Sequence, residues 1–339
     1  MGQLKVAING FGRIGRNAFK IAFERSDIEI VAINDKTDVK TLAYLLKHDS
    51  SYGTYQHDVT TTDDEIIVAG KHIKVIARDN PASLPWGDMG VDVVIESTGR
   101  FTTKEGAALH INAGAKRVVI SGPDQAGDVD TIVLGVNEDI VKSGSAAVVS
   151  NASSTTNSLG ALIAILDAEF GVQKSLLTTI HSYTADQSLI DSGSVNLRDG
   201  RAAAENIVPS TTGATIALPK ILPQLKGKFD GISVRVPASI VSLSDLTVLL
   251  GRSTSVGEIN DVITKAADEL YYRGILGVSN EPLVSRDYIG NSYSGVVDLQ
   301  LTKVADGNLA KIMVWYDNEW GYSNRLVELV ADVGRSLHN

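Results

Sequence analysis

At 339 residues and 36.0 kDa the chain has room for one oversized domain or two ordinary ones. With 43% hydrophobic and 21% charged residues it has the composition of a soluble globular chain with ample core, and its formal net charge of −9 argues against a surface for nucleic acid or anionic membrane. The absence of cysteine excludes disulfides and thiolate metal sites and fits a cytoplasmic protein. The six histidines, His48, His57, His72, His110, His181 and His338, show no ligand spacing, and with no zinc or calcium motif no metal is expected. No apolar run reaches the length of a membrane span, and a first strand beginning almost at Met1 leaves no place for a signal peptide.

In chain order, Lys5–Ile8 reads as a short apolar strand and Gly10–Gly15 as a glycine turn. Asn17–Arg25 reads as a helix with Ala18, Ile21 and Ala22 on its apolar side, and Ile28–Ile33 as the next strand. Further strands are expected at Val91–Glu96, Arg117–Ser121, Thr131–Gly135 and Ala146–Ser150. Alternation of this kind predicts a parallel sheet with helices on both faces. A helix over Leu159–Phe170 is stopped by Gly171.

From about Thr178 the rhythm changes. Long β-rich stretches occupy Leu176–Tyr183, Gly231–Pro237, Ile240–Leu250, Gly295–Val304 and Ala310–Tyr316, with a helix at Ser255–Arg273 opened by a Ser255/Glu258 capping box. Long strands with few crossover helices predict an α+β domain with a mostly antiparallel or mixed sheet. Tyr322–Leu337 has helical spacing. The expected division is 1–152 plus a returning C-terminal helix at 318–339, and 153–317.

The turn Gly10-Phe11-Gly12-Arg13-Ile14-Gly15 is G-x-G-x-x-G, directly after a strand and before a helix, and Asp35 ends the next strand 20 residues on. That context makes it the fingerprint of a doubly wound, Rossmann-type dinucleotide-binding α/β domain. The glycines permit the turn, the approach of the pyrophosphate and close helix–strand packing, while Asp35 takes the ribose hydroxyls. Asp35 repels a 2′-phosphate and the adjacent Lys36 could accept one, so NAD is expected with NADP as the alternative.

The second informative segment is Ser150-Asn151-Ala152-Ser153-Ser154-Thr155-Thr156-Asn157, a hydroxyl-rich strand-to-helix junction. Such a junction offers backbone N–H groups and the positive end of a helix dipole, a place to bind an anion or activate a nucleophile, or simply a helix cap. It resembles the S-N-A-S-C-T-T-N signature of phosphorylating glyceraldehyde-3-phosphate dehydrogenases, matching seven of eight positions and departing at Ser154, where the family has its catalytic cysteine. The resemblance extends over His181-Ser182-Tyr183-Thr184, 27 residues beyond position 154 as in the family, and over Glu96–Phe101 and Asp317–Ser323.

The resemblance implies a thiolate adding to an aldehyde, hydride transfer to the nicotinamide, and phosphate attacking the resulting thioester, within a homotetramer. It implies His181 as acid and base and as donor to the carbonyl. Ser153, Thr155, Thr212 and Gly213 would bind inorganic phosphate, Thr184 and Arg235 the substrate phosphate, and Arg201 either. Ser97, Thr98, Gly99 and Ser121 would line the cofactor, and Asn318 would orient its amide.

Ser192-Gly193 stands where NAD-specific members usually have Leu-Pro. Gly122–Asp130 looks longer than the family loop, Asp199-Gly200 replaces Arg-Ala, and Ala238-Ser239-Ile240 replaces a common Thr-Pro-Asn. A serine at 154 predicts a crippled enzyme, because a helix end and one histidine do not generate appreciable alkoxide. Deliberate cysteine removal and a naturally inactive relative are the two origins open. An erythrose-4-phosphate dehydrogenase and a non-catalytic nucleotide-binding relative are the alternative functions.

Overall fold

The computed structural model describes residues 2–337 apart from 125, 143 and 145; Met1 and His338 lie outside the described residues, as do the last two positions of the stretch 318–339. The chain forms two compact units, one of residues 1–132, 138–152 and 323–339, the other of residues 133–137 and 153–322. Each builds its own sheet.

The first unit holds a nine-stranded sheet in the order Asp130–Thr131, Val148–Ser150, Arg117–Ile120, Val93–Glu96, Leu4–Asn9, Ile28–Asn34, Lys71–Ile76, Glu65–Val68, Val59–Thr61. The first seven run parallel, and the last two add an antiparallel edge that the sequence reading missed. Strands buried on both faces explain their unbroken apolar runs: Val6, Ala7, Ile8, Val93, Val94 and Ile95 are fully buried.

The strand expected at Thr131–Gly135 ends at Thr131. The Asn137 side chain takes the Val133 N–H at 2.8 Å and Gly135 turns into the left-handed region at φ +82°, so the chain leaves the sheet. Val133 and Val136 pack instead against Gly160 in the second unit.

The second unit has a mixed seven-stranded sheet, ordered Val208–Ser210, Phe229–Val236, Val172–Ser182, Ser242–Leu250, Leu309–Tyr316, Gly295–Ala305, Leu276–Ser279. The Ser154–Phe170 helix buries Leu159, Leu162, Ile163 and Leu166 against it. This helix begins five residues earlier than its apolar spacing suggests, so the hydroxyl-rich segment is its first turn. The Ser255-capped helix ends at Asp268 rather than Arg273. Ser255 accepts from Glu258 N at 3.2 Å, but the Glu258 carboxylate turns to Thr254 and Arg252, so only half the capping box forms.

Candidate functional sites

The glycine turn joins the Leu4–Asn9 strand to the Arg13–Phe23 helix. Gly10 has φ +92°, and a Cβ there would lie 2.7 Å from the backbone of Ser97 and Thr98. A Cβ on Gly15 would lie 2.2 Å from the Gly10 carbonyl oxygen, whereas one on Gly12 would meet nothing within 4 Å. Two glycines thus close the turn and the middle one leaves its backbone open, the cradle a pyrophosphate needs. Gly12 is the helix N-cap and makes no side-chain cap bond, so the positive end of the helix faces that opening.

Asp35 Oδ2 accepts from Phe11 N at 2.8 Å and Oδ1 from Thr37 N at 2.9 Å, which fixes the carboxylate at the rim of a cavity of about 290 Å³. Gly10, Gly12, Asp35, Lys36, Ser97 and Thr98 all line it. The Ser97 hydroxyl donates to Gly10 O at 2.7 Å and so clamps the turn. Arg13 is held by Asp49 at 3.1 and 3.3 Å, beside Ile14, and Gly99 has φ +71°. Ser121 donates its N–H to Glu96 O at 2.8 Å at the end of its strand.

Beneath this cleft lies a buried polar chain that the sequence reading did not single out. The Trp86 indole N–H donates to His110 Nδ1 at 2.9 Å. An indole nitrogen can only donate, so the imidazole proton sits on Nε2 and is donated to Glu96 Oε2 at 2.9 Å. Asn9 Nδ2 donates to the same carboxylate at 2.5 Å, and Thr98 donates to its other oxygen from the backbone at 2.8 Å and from the hydroxyl. The carboxylate ties two neighbouring strand ends together under the cavity.

A direct prediction separates packing from ligand approach. Gly15→Ala should destabilise the protein by about 1–3 kcal/mol through overpacking. Gly12→Ala should leave the melting temperature nearly unchanged and still weaken dinucleotide binding. Thermal melts and titration calorimetry of the two variants check this; equal melting losses would contradict the assignment.

In the second unit Ser153 is the N-cap, its Oγ accepting from Thr156 N at 3.1 Å. Ser154 is the first helical residue and half-buried, and no hydrogen bond joins its hydroxyl to His181 among the described residues. The preceding Ala152 has φ +55°, a conformation unusual for a side chain-bearing residue. Thr155 Oγ1 lies 3.0 Å from the Tyr316 hydroxyl, which also lies 2.7 Å from Thr179 Oγ1. Burial pushes the Tyr316 phenol pKa upward, so it stays protonated, and its ring packs edge-on against His181. Tyr316 therefore joins the candidate residues, a place the sequence reading did not give it.

His181 ends the Val172–Ser182 strand and is the register partner of Arg235 on the parallel Phe229–Val236 strand. Its Nδ1 is 2.7 Å from Ser182 O and 2.6 Å from Arg235 Nη1. A carbonyl only accepts and a guanidinium only donates, so just one of these is a hydrogen bond for a given tautomer. The imidazole is neutral in either case: burial first, and then the Arg235 charge, push its pKa down to about 3.

The other candidates of this unit have partners of their own. Thr184 Oγ1 donates to Asp186, and Arg201 Nε pairs with Asp191 at 3.0 Å with both side chains exposed. Thr212 Oγ1 accepts from Ala214 N at 3.3 Å, and Gly213 opens the Ala214–Ile221 helix. Asn318 Oδ1 accepts from Ser182 Oγ at 3.0 Å and Ser242 Oγ at 3.2 Å. Ser242 follows Val241, which has φ +69°, a costly conformation for a β-branched residue. Among the described residues no helix is long and apolar enough to cross a membrane, and no group of three or more metal-ligating side chains occurs.

Comparison with known proteins agrees across the chain. Residues 4–104 match the model for the glyceraldehyde 3-phosphate dehydrogenase NAD-binding domain and residues 153–318 that for its C-terminal domain. The chain is 51% identical over 327 residues to glyceraldehyde-3-phosphate dehydrogenase 1 of Bacillus cereus, covering 96% of this chain and 97% of the relative. It is 50% identical over 328 residues to the glyceraldehyde-3-phosphate dehydrogenase of Geobacillus stearothermophilus, covering 97% of each. Against that of Mycolicibacterium smegmatis the identity is 52% over 342 residues, covering 98% and 99%.

Proposed function

We propose that this chain, which belongs to the glyceraldehyde-3-phosphate dehydrogenase family, is a member built to oxidise and phosphorylate D-glyceraldehyde 3-phosphate to 1,3-bisphosphoglycerate, with Ser154 at the nucleophile position leaving very low activity. The chain is an NAD-binding oxidoreductase of that family. NAD supplies the hydride acceptor when bound. The glycine turn and Asp35 would hold it, and Asn318, with its oxygen tied by two serine hydroxyls, would donate from Nδ2 to the nicotinamide amide.

The observation that carries the reading is His181: a buried, neutral imidazole at a strand end, touching the guanidinium assigned to the substrate phosphate. A neutral imidazole can take a proton from a nucleophile and return it to the product. Arg235 and Thr184 are assigned to the substrate phosphate. Ser153, Thr155, Thr212 and Gly213 are assigned to inorganic phosphate, with Arg201 serving either. An anion that draws Arg235 from His181 would couple phosphate binding to the state of the base. A cytoplasmic homotetramer is part of the proposal; the exposed apolar side chains Leu189, Ile190, Val195 and Leu197 support an interaction surface between chains.

The test uses the Ser154→Cys protein with competing glyceraldehyde 3-phosphate and erythrose 4-phosphate. We expect kcat/KM to favour the three-carbon substrate by at least about tenfold, the order set by a few kcal/mol of differential binding. Preference for erythrose 4-phosphate would replace the substrate assignment. Intact NAD binding without turnover of either aldehyde would favour a non-catalytic relative.

A further inference from the structure

The rim of the dinucleotide cavity carries a charge arrangement beyond the fingerprint. Asp35 lies at the ribose end, its carboxylate locked by two backbone N–H groups. Lys36, Asp79 and Arg100 line the same cavity. Lys36 Nζ forms an ion pair with Asp79 Oδ1, and Arg100 Nη1 lies 3.7 Å from the same oxygen. One carboxylate therefore engages two cations that would otherwise face the 2′ position of a ribose bound at Asp35.

We propose that Asp79 is a specificity-determining residue, which by holding Lys36 and Arg100 keeps this cleft selective for NAD and leaves a latent 2′-phosphate subsite behind it. This rests on the assignment of the cleft to NAD. A 2′-phosphate brings further negative charge to a rim that already holds two carboxylates, and it has to compete with Asp79 for both cations. NAD carries no charge at that position and does not meet this competition. The three side chains of the cluster are 62%, 65% and 62% exposed, so their pairs are screened and add little to stability, and removing Asp79 should not unfold the protein. Arg78 lines the cavity too and remains in every variant, so its contribution cancels in the comparison.

The experiment is titration calorimetry of the full-length protein with NAD and NADP at fixed low salt, repeated with adenosine 2′,5′-bisphosphate. Asp79→Asn should leave NAD affinity within about twofold and strengthen NADP binding by about tenfold, the size expected for deleting one nearby surface charge. Adding Lys36→Gln and Arg100→Gln to Asp79→Asn should abolish that gain. An unchanged NADP-to-NAD ratio in Asp79→Asn, or a gain that survives loss of both cations, would overturn the proposal. Failure of the unaltered protein to bind NAD would instead overturn the cleft assignment on which it rests.

Discussion

Ser154→Cys is expected to raise phosphate-dependent NADH formation by on the order of a thousandfold or more over the unaltered chain. Position 154 is the first residue of a 17-residue helix, where the dipole and the first-turn N–H groups stabilise a negative charge. A thiol there starts from a pKa of about 8.5 and is lowered into the neutral range by such a position. A serine hydroxyl is too weak an acid for the same help, and an acyl ester on it would resist phosphate more than a thioester does. The exchange alters one atom at a half-buried site, so it should leave the fold and NAD affinity unchanged. Initial rates with glyceraldehyde 3-phosphate, NAD and phosphate measure it, and equal rates for the two forms would remove position 154 from the chemistry.

Adding His181→Asn to Ser154→Cys should lower the recovered rate by about a hundredfold or more, the usual worth of a positioned acid–base group. The pH dependence carries more information than the rate. Burial and the Arg235 charge hold the His181 pKa near 3 rather than 6.5, partly opposed by the Ser182 carbonyl and Asp186. In the free protein the imidazole is therefore neutral throughout the physiological range. The acid limb of kcat/KM should report the coupled thiol and imidazole, not an ordinary histidine. Arg235→Gln removes the positive neighbour and should move that limb toward higher pH.

The sign for stability follows from the same depression. Between pH 6.5 and about 3 the unfolded chain binds a proton at this residue that the folded chain refuses. This part of stability is present above pH 6.5 and is lost as the pH falls through that window. Urea unfolding at pH 7 and pH 5 should show His181→Asn losing less on acidification than the parent.

What the sequence revealed, and what it hid, follows the range of the interactions. The glycine turn was readable because its three glycines, the strand before them and Asp35 all lie within a short stretch whose local geometry fixes the fold. The start of the 154–170 helix is not legible in the apolar spacing because Ser, Thr and Asn are weak helix formers; their side chains here cap and bond backward, as Ser153 does with Thr156 N and Asn157 Nδ2 with Ser153 O. The strand at 131–135 failed for a local reason, the Asn137 and Gly135 turn.

The Trp86–His110–Glu96–Asn9 chain is hidden because its members come from two helices and two strands that only the tertiary fold brings together. Arg235 and His181 stand 54 positions apart, and it is the register of one parallel strand pair that puts the guanidinium on the imidazole. The candidate residues of the second unit are legible only by likeness to a family signature. Their hydrogen-bond partners, including the Tyr316 hydroxyl between Thr155 and Thr179, needed the fold.

The most direct measurement of the central claim, that residue 154 occupies the nucleophile position of a glyceraldehyde-3-phosphate dehydrogenase, is intact-protein mass spectrometry after mixing with NAD and glyceraldehyde 3-phosphate in the absence of phosphate. The Ser154→Cys protein should accumulate one acyl adduct per chain, mapped by peptide analysis to position 154 and discharged on adding phosphate, while the unaltered chain accumulates none. An adduct mapped to any other residue, or phosphate-dependent turnover of the Ser154→Cys protein with no adduct at that position, would contradict the account.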